Sequence, residues 1–407
     1  MTSAISEADR VLVINSGSSS LKFQLLAPSD GTVDAVGIVE RIGLDTGSAK
    51  ITAGEKEATH TGEVPDHVEA MRIVEHLFTD VGLSLTDDRI RAVGHRVVQG
   101  GARFDAPTLI TDEVRDDIHD LGRLAPLHNY AAVDGIDGAR TLLPHVPHVA
   151  VFDTAFFAQL PAAAHTYAIA RDFAQKYEIR RYGAHGTSHQ FVSEAVSAHL
   201  AAEGQDVSDL RQIVLHLGNG ASASAVRGGK PLDTSMGLTP LEGLVMGTRT
   251  GDIDPSVYVH LNRQAGLSPA EVDTVLNKRS GMMGLCGMSD FRDISAAIEK
   301  GDEVASLAMD VYAHRLRKYI GSYSFVLGGV DTIAFTAGIG ENAPDVRERA
   351  LEGLEHFGIV LDREKNLQRG PGIRDISGEG STVRILVVPT NEELAIARLA
   401  EELAGSL

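Results

Sequence analysis

Val11-Leu-Val-Ile-Asn-Ser-Gly-Ser-Ser-Ser-Leu-Lys22-Phe23 runs an apolar strand into a polar, glycine-containing turn and out into a second strand that carries a lysine. Small residues at such a turn let backbone N–H groups approach an anion, hydroxyls add donors, and the lysine adds positive charge. No Gly-x-x-x-x-Gly-Lys-Ser/Thr loop occurs in the chain, and a strand rather than a helix follows the turn. The stretch therefore reads as a hairpin-type phosphate loop. About half a chain later, Ile213-Val-Leu-His-Leu-Gly-Asn-Gly-Ala-Ser-Ala-Ser-Ala-Val-Arg-Gly-Gly-Lys230 repeats the plan. Two strand–loop–strand copies imply a duplicated domain with a nucleotide held between the halves. The alternative is two β-hairpins that are alike by chance.

The rest of the chain fits a two-domain α/β protein. Its 407 residues exceed one typical domain, and 43% hydrophobic content supports a sizeable core. The 42 glycines cluster within motifs rather than linkers, which suggests tight turns around a ligand. A net charge of −19 argues against nucleic acid or an anionic membrane as the main partner. Basic residues inside glycine-rich motifs gain interest for the same reason. The single cysteine, Cys286, allows no intrachain disulfide and fits a reducing cytoplasm. Residues 1–10 lack a signal-peptide apolar core, and no run approaches the roughly 20 apolar residues of a membrane span.

Strands and helices alternate along the chain. Strands are expected at Val11–Ile14, Leu21–Leu26, Ala92–Val98, His148–Phe152, Ile213–Leu217, Ala221–Val226, Thr332–Thr336 and Val383–Val388. Among the expected helices are Tyr130–Leu143, His189–Ala202, Asp302–Tyr323, Ala343–Phe357 and Glu392–Ala404. Ser268-Pro-Ala-Glu271 and Thr390-Asn-Glu-Glu393 read as capping boxes, and Asn342 as a cap ahead of Pro344. Mixed sheets follow from this pattern.

Several motifs carry chemistry. His216-Leu-Gly-Asn-Gly220 fits a dinucleotide fingerprint loosely, but the Ala-Ser-Ala-Ser-Ala-Val that follows alternates like a strand, so no Rossmann helix opens there. As a hairpin loop it offers backbone donors; as a plain turn it offers nothing. Thr336-Ala-Gly-Ile-Gly-Glu-Asn342 follows an apolar strand and opens a helix, a setting that suits phosphate or polar nucleotide groups. Arg96, Arg249 and Arg292 sit among glycines or at element ends, where each either grips an anion or forms a structural ion pair. Asp153 closes an apolar strand, where α/β proteins place catalytic and metal groups. His185 is flanked by glycines before a helix, whereas His189 reads as a structural residue of the first helical turn. No Cys/His cluster has zinc spacing; a hard cation with oxygen ligands, Mg²⁺, is compatible.

Taken together, these segments resemble the acetate kinases, a family within the superfamily of sugar kinases, actin and the 70-kDa chaperones. The resemblance runs from Val11 to the last helix. It rests on Asn15–Lys22, His95-Arg-Val-Val98, Phe152-Asp-Thr-Ala-Phe156, Tyr182–His189, His216–Gly220, Asp233–Gly243, Gly247–Pro255, Ser289–Asp293, Gly338–Asn342 and Pro389–Glu393, all in order. It implies ATP plus acetate giving ADP plus acetyl phosphate, reversibly, with Mg²⁺ (Mn²⁺ as a substitute), in a cytoplasmic homodimer. It implies a duplicated actin-like, ribonuclease H-like α/β fold with five-stranded mixed sheets and an interdomain active site. The implied domains are residues 1–157 with 390–407, and 158–389.

By position, the resemblance makes Asp153, His185 and Arg249 catalytic. Arg96 becomes the substrate-carboxylate contact, with Val98, Leu127 and Pro240 (and Ala184, a phenylalanine in some members) around the acyl group. Lys22, His216, Leu217, Gly218, Asn219, Gly220, Asp290, Phe291, Arg292, Gly338, Ile339, Gly340, Glu341 and Asn342 become the ATP-binding set. Asn15 and Glu392 become the metal-site residues. Ser16, Gln99, Tyr130 and Phe157 depart from the usual residues without touching a charged catalytic position. A propionate or butyrate kinase would share almost every motif. A filament or chaperone protein of the superfamily would lack the Arg96 and Arg249 constellations, and the Gly338–Asn342 segment argues against pyrophosphate as donor.

Acetate is already ionised at neutral pH, so no general base is needed to make the nucleophile. The obstacle is repulsion between two anions, and phosphoryl transfer is governed by positioning and charge neutralisation. Arg96, Arg249, Lys22, His185 and Mg²⁺ supply that charge, and Asp153 reads better as an organiser than as a proton acceptor.

Overall fold

The computed structural model describes residues 9–126 and 128–406, so residues 1–8, Leu127 and Leu407 lie outside the description. The chain forms two compact units: the described residues of Met1–Ala158 with Asn391–Leu407, and Gln159–Thr390.

The first unit is built on Arg10–Gly17 (β1), Ser20–Leu26 (β2), Val33–Glu40 (β3), Gly47–Ala53 (β4), Lys56–Gly62 (β5), Ile90–Val97 (β6), Thr108–Leu109 (β7) and His148–Phe152 (β8). They make one sheet in the order β5-β4-β3-β2-β1-β6-β8-β7. The second unit contributes Arg211–Leu217 (β9), Ala221–Arg227 (β10), Lys230–Thr234 (β11), Thr332–Thr336 (β12), Arg374–Asp375 (β13) and Arg384–Val387 (β14), in the order β11-β10-β9-β12-β14-β13.

The echo between the two hairpins is architectural. In the first sheet β3-β2-β1 are antiparallel and β6 and β8 then add in parallel. In the second, β11-β10-β9 are antiparallel and β12 and β14 add in parallel. Both sheets thus contain the same five-stranded mixed core, the ribonuclease H-like plan of the α/β expectation. The sheets themselves are larger than five strands, with eight and six. Two of the four extra strands, β4 and β5, come from the meander Val33–Gly62, whose strands are partly exposed and show no strong apolar run.

The central strand of each sheet is buried on both faces, so Val11–Ile14 and Ile213–Leu215 read as continuous apolar runs. The last helix, Glu392–Ala404, belongs to the first unit and packs Ile396, Ala397 and Ala400 on Val11, Ala92 and Val151. It can lie close because Gly94 has no side chain: a Cβ there would stand 2.6 Å from Ile396 Cγ2. That close approach brings Glu392 beside β6.

Three local expectations are corrected. Thr390 does not cap the last helix; Asn391 does, accepting from the Leu394 amide at 2.9 Å, while Thr390 Oγ1 bonds Ser188 Oγ. Asn342 does not cap the helix Pro344–Leu351; it ends the short helix Ala337–Asn342, donating to the Gly338 carbonyl. The helix expected from His189 begins three residues earlier, at Gly186. The Ser268–Glu271 capping box is present in both of its bonds.

Candidate functional site

Strand geometry assembles the first cluster. β1 pairs with β6 up to Ile14 and His95, so Asn15 and Arg96 each stand one residue beyond that pair. β6 pairs with β8 up to Val97 and Phe152, and Asp153 follows, its amide donating to Val97 O at 2.8 Å. Three parallel strands therefore deliver Asn15, Arg96 and Asp153 at their C-terminal ends, where α/β sheets present ligand sites. Lys22 is directly opposite Asn15 in the β1–β2 hairpin, with an exposed side chain.

Arg96 donates from Nε to Asp153 Oδ1 at 3.0 Å and from Nη2 to Oδ2 at 2.7 Å. Asp153 is almost fully buried, and this fork is its counter-charge. The same Nη2 lies 3.9 Å from Glu392 Oε2, which is buried and accepts no hydrogen bond. Asp153, with Glu392 beyond it, holds the guanidinium well above its ordinary value against the opposing effect of burial. Burial pushes the Glu392 carboxyl up to about 7, with Asp153 adding to the rise and Arg96 opposing it.

The loop after Arg96 is pinned. Half-buried Val98 leads to Gln99, whose amide donates to Asn129 Oδ1 and whose carbonyl accepts from Asn129 Nδ2. Gly101 N donates to Gln99 Oε1, and Gly100 N to Thr154 Oγ1. Gln99 thus ties this loop to Asn129 and to its own turn. Leu127, assigned to the acyl pocket by resemblance, lies outside the described residues.

The second unit builds its cluster around Gly220. The hairpin β9–β10 turns at Gly218-Asn219-Gly220, and Gly247 packs on it, its N–H donating to Asn219 O. A Cβ at Gly220 would lie 3.5 Å from His185 Nε2 and 3.6 Å from Arg249 Nη1, so both side chains border the space over this glycine. His185 holds a left-handed backbone, φ 58°, at the N-cap of Gly186–Ala202; strain of that kind recurs at functional sites.

Arg249 donates to the Pro240 carbonyl at 3.3 Å and contacts Met246 Sδ at 3.9 Å, and it makes no ion pair with any described residue. Burial alone lowers its value from the ordinary guanidinium range. The three arginines differ in their pairing with described residues. Arg96 is ion-paired, Arg249 is not, and Arg292 is exposed and forks onto its neighbour Asp290.

His216 ends β9 in register with Thr336 of β12, so the His216–Gly220 and Gly338–Asn342 segments emerge from neighbouring parallel strands. A Cβ at Gly338 would face open space, while one at Gly340 would lie 3.3 Å from the Phe335 carbonyl carbon. Ala337 also takes a left-handed φ of 64°. Glu341 Oε1 accepts from Thr390 N, and burial raises its carboxyl. In the third segment Asp290 caps the helix Phe291–Glu299, and Phe291 turns inward onto Tyr312. Ala184 is buried in the core of this unit.

Sequence reasoning missed a layer behind His185. Ser222 Oγ lies 2.9 Å from His185 Nδ1 and 2.7 Å from His189 Nε2, and His189 Nδ1 lies 2.7 Å from Ser224 Oγ. His216 Nδ1 bonds Ser188 Oγ, and its ring stacks on His185 with centroids 4.3 Å apart. The available signal was the alternation Ala221-Ser-Ala-Ser-Ala, which puts two hydroxyls on one face of a strand.

The acetokinase family model matches residues 10–398. The acetate kinase of Leifsonia xyli subsp. xyli is 55% identical over 390 residues, covering 96% of this chain and 98% of that protein. That of Streptomyces griseus subsp. griseus is 53% identical over 403 residues, 98% and 97% of the two chains. The crystal structure of Porphyromonas gingivalis acetate kinase superposes with a TM-score of 0.90 at 42% identity, covering 96% and 98%. A propionate kinase from Francisella tularensis subsp. tularensis superposes equally well, TM-score 0.90 at 39% identity, covering 97% and 99%.

Proposed function

The chain belongs to the acetokinase family, and from that premise we propose that it transfers the γ-phosphoryl group of ATP reversibly to acetate, giving acetyl phosphate and ADP. The observation that carries this reading is the half-buried Arg249 guanidinium, without an ion-pair partner among the described residues, beside His185 over the Gly220 turn. A desolvated cation next to a space where backbone can be approached closely is suited to a polyanion.

In this reading Arg96 binds the substrate carboxylate. Asp153 occupies Nε and Nη2, so Nη1 remains to donate to an acyl oxygen, and the fork fixes the plane of that donor. Asp153 therefore orients Arg96 rather than accepting a proton, as expected for a nucleophile that is ionised before it binds. The family resemblance assigns Val98, Leu127, Pro240 and Ala184 to the acyl group. Arg249 and His185 donate to the oxygens of the phosphoryl group as it moves, and Lys22 meets the nucleotide phosphates. The segments His216–Gly220, Asp290–Arg292 and Gly338–Asn342 hold the nucleotide.

Oxygen donors around Asn15 and Glu392 fit Mg²⁺. The buried, unpartnered Glu392 oxygen sits among Asp153 and Glu393 with only Arg96 to offset them, so the cluster has acidic charge to spare. When bound there, Mg²⁺ would offset nucleotide phosphate charge. We further infer a homodimer working in the cytoplasm, without nucleic-acid or membrane partners; no helix among the described residues is long and apolar enough to cross a membrane.

A second reading, propionate as the acyl acceptor, is favoured by the equal superposition on a propionate kinase and by the small residue at Ala184. Both are tested by a hydroxamate assay with acetate, propionate and butyrate, each run with ATP and with pyrophosphate. ATP-dependent acetyl hydroxamate as the dominant product is expected. Acyl hydroxamate from propionate in preference to acetate would move the assignment to the second reading, and none from any acid would overturn both.

A further inference from the structure

Behind His185 lies a row of hydrogen-bonding groups that ends blind. Ser222, His189 and Ser224 are fully buried, and Ser224 Oγ has no partner among the described residues other than His189 Nδ1. A hydroxyl carries one proton, and a neutral imidazole carries one on either nitrogen, so such a row can be wired in only two directions. If His185 Nδ1 donated to Ser222, the proton order would run through His189 to Ser224, and the Ser224 O–H would be left buried without an acceptor. In the other direction every donor is used. Ser224 O–H donates to His189 Nδ1, His189 Nε2–H to Ser222 Oγ, and Ser222 O–H to His185 Nδ1. Leaving a buried donor unmade is the expensive choice.

We propose that Ser224, His189 and Ser222 form a one-way hydrogen-bond chain that fixes His185 as a neutral imidazole with its proton on Nε2, the nitrogen that faces the space over Gly220. The three residues are positioning residues. They aim a ready donor at the phosphoryl oxygens, whereas His185 itself is the group in contact. The inference rests on the phosphoryl-transfer reading for what the donor serves, but the tautomer it assigns does not depend on activity.

Two further observations fit. Burial holds His189 well below the ordinary imidazole range, with His216 adding to the effect, so the middle of the chain stays neutral. Arg249 Nη1 borders the same space as His185 Nε2, and a second positive charge on His185 would be opposed by it. His185 then works by hydrogen bonding and leaves positive charge to Arg249, which changes the charge-supplying role expected of it from sequence.

The test is a two-bond ¹H–¹⁵N spectrum of histidine-labelled protein near pH 7.5, with His185→Gln and His189→Gln variants for assignment. The Nε2–H pattern for both His185 and His189 is expected. An Nδ1–H or doubly protonated His185 would overturn the chain, whether or not the protein makes acetyl phosphate. Kinetics provide an independent reading. Ser222→Ala should lower kcat by about 10- to 100-fold, the usual range for outer partners of an active group, and leave KM for acetate within about twofold. Ser224→Ala should give a smaller kcat loss of the same kind and a mixed tautomer at His189. Unchanged kcat in both variants, or a loss carried entirely by KM, would count against the proposal.

Discussion

In the first unit the Arg96 guanidinium is gripped by Asp153 at 2.7 and 3.0 Å, with Glu392 a further 3.9 Å away. In the second, Arg249 has a carbonyl and a thioether for company and, among the described residues, no carboxylate. Both arginines border a candidate site, yet their charge is handled in opposite ways. A paired guanidinium meets a small monoanion with one free edge and a fixed plane. An unpaired, half-buried guanidinium carries an electrostatic penalty that a polyanion relieves on binding, so its attraction is strongest where most charge gathers. Under the proposed function the contrast would divide the work: Arg96 would orient acetate and Arg249 would answer the phosphoryl group.

The contrast breaks most visibly in turnover. Arg249→Ala should lower kcat for acetyl phosphate formation by about 10³-fold or more, the scale at which a transition-state arginine acts, as read by coupled steady-state kinetics. Next comes stability. Arg96→Ala leaves Asp153 buried and uncompensated, which should destabilise the first unit by ~3 kcal/mol or more in addition to abolishing acetate binding. Denaturant unfolding checks this; an Arg96→Ala, Asp153→Ala double variant should recover part of the loss.

A third prediction concerns pH. In the first unit His95 and His148 share a buried hydrogen bond of 2.9 Å, and His148 donates onward to Leu143 O. Burial pushes His148 down to about 4. Its unfolded value is near 6.5, so between the two the unfolded chain binds more protons and stability falls as pH drops. His148's share of the decline from about pH 6.5 to about pH 4 should amount to on the order of 2–3 kcal/mol, and His148→Gln should reduce the decline in a series of thermal melts, leaving the part that buried His95 contributes. The smallest effect belongs to the third arginine. Arg292 has a 91% exposed side chain and, among the described residues, pairs with Asp290 alone, so Arg292→Ala should shift stability by less than about 0.5 kcal/mol and touch KM for ATP rather than kcat.

The legible part of this molecule was the part written in short motifs. Val11–Lys22 and its echo announced two hairpins, and strand-end positions announced Arg96 and Asp153, because apolar runs and glycine punctuation are local signals. The meander Val33–Gly62 stayed hidden because its strands are half exposed and carry mixed residues, with Gly37 admitted only because Phe23 crosses it, a Cβ there falling 2.2 Å from Phe23 Cζ. The pairing of the arginines was illegible for another reason. Arg96 meets Asp153 across 57 residues, and nothing near Arg249 in sequence tells that Asp252 and Asp254 fail to reach it. Asp252 is instead taken by Tyr319 and Arg315. Ser222 and Ser224 were read as strand alternation alone, since their partner His189 comes from a separate helix.

The division of labour is tested most directly by the ligand-free melting temperature of Arg249→Ala beside that of the parent protein. An arginine held unpaired for a substrate contributes no net stability in its absence. The melting temperature should therefore stay the same or rise, while Arg96→Ala lowers it. A fall for Arg249→Ala as large as that for Arg96→Ala would show that Arg249 is a structural residue and contradict the account.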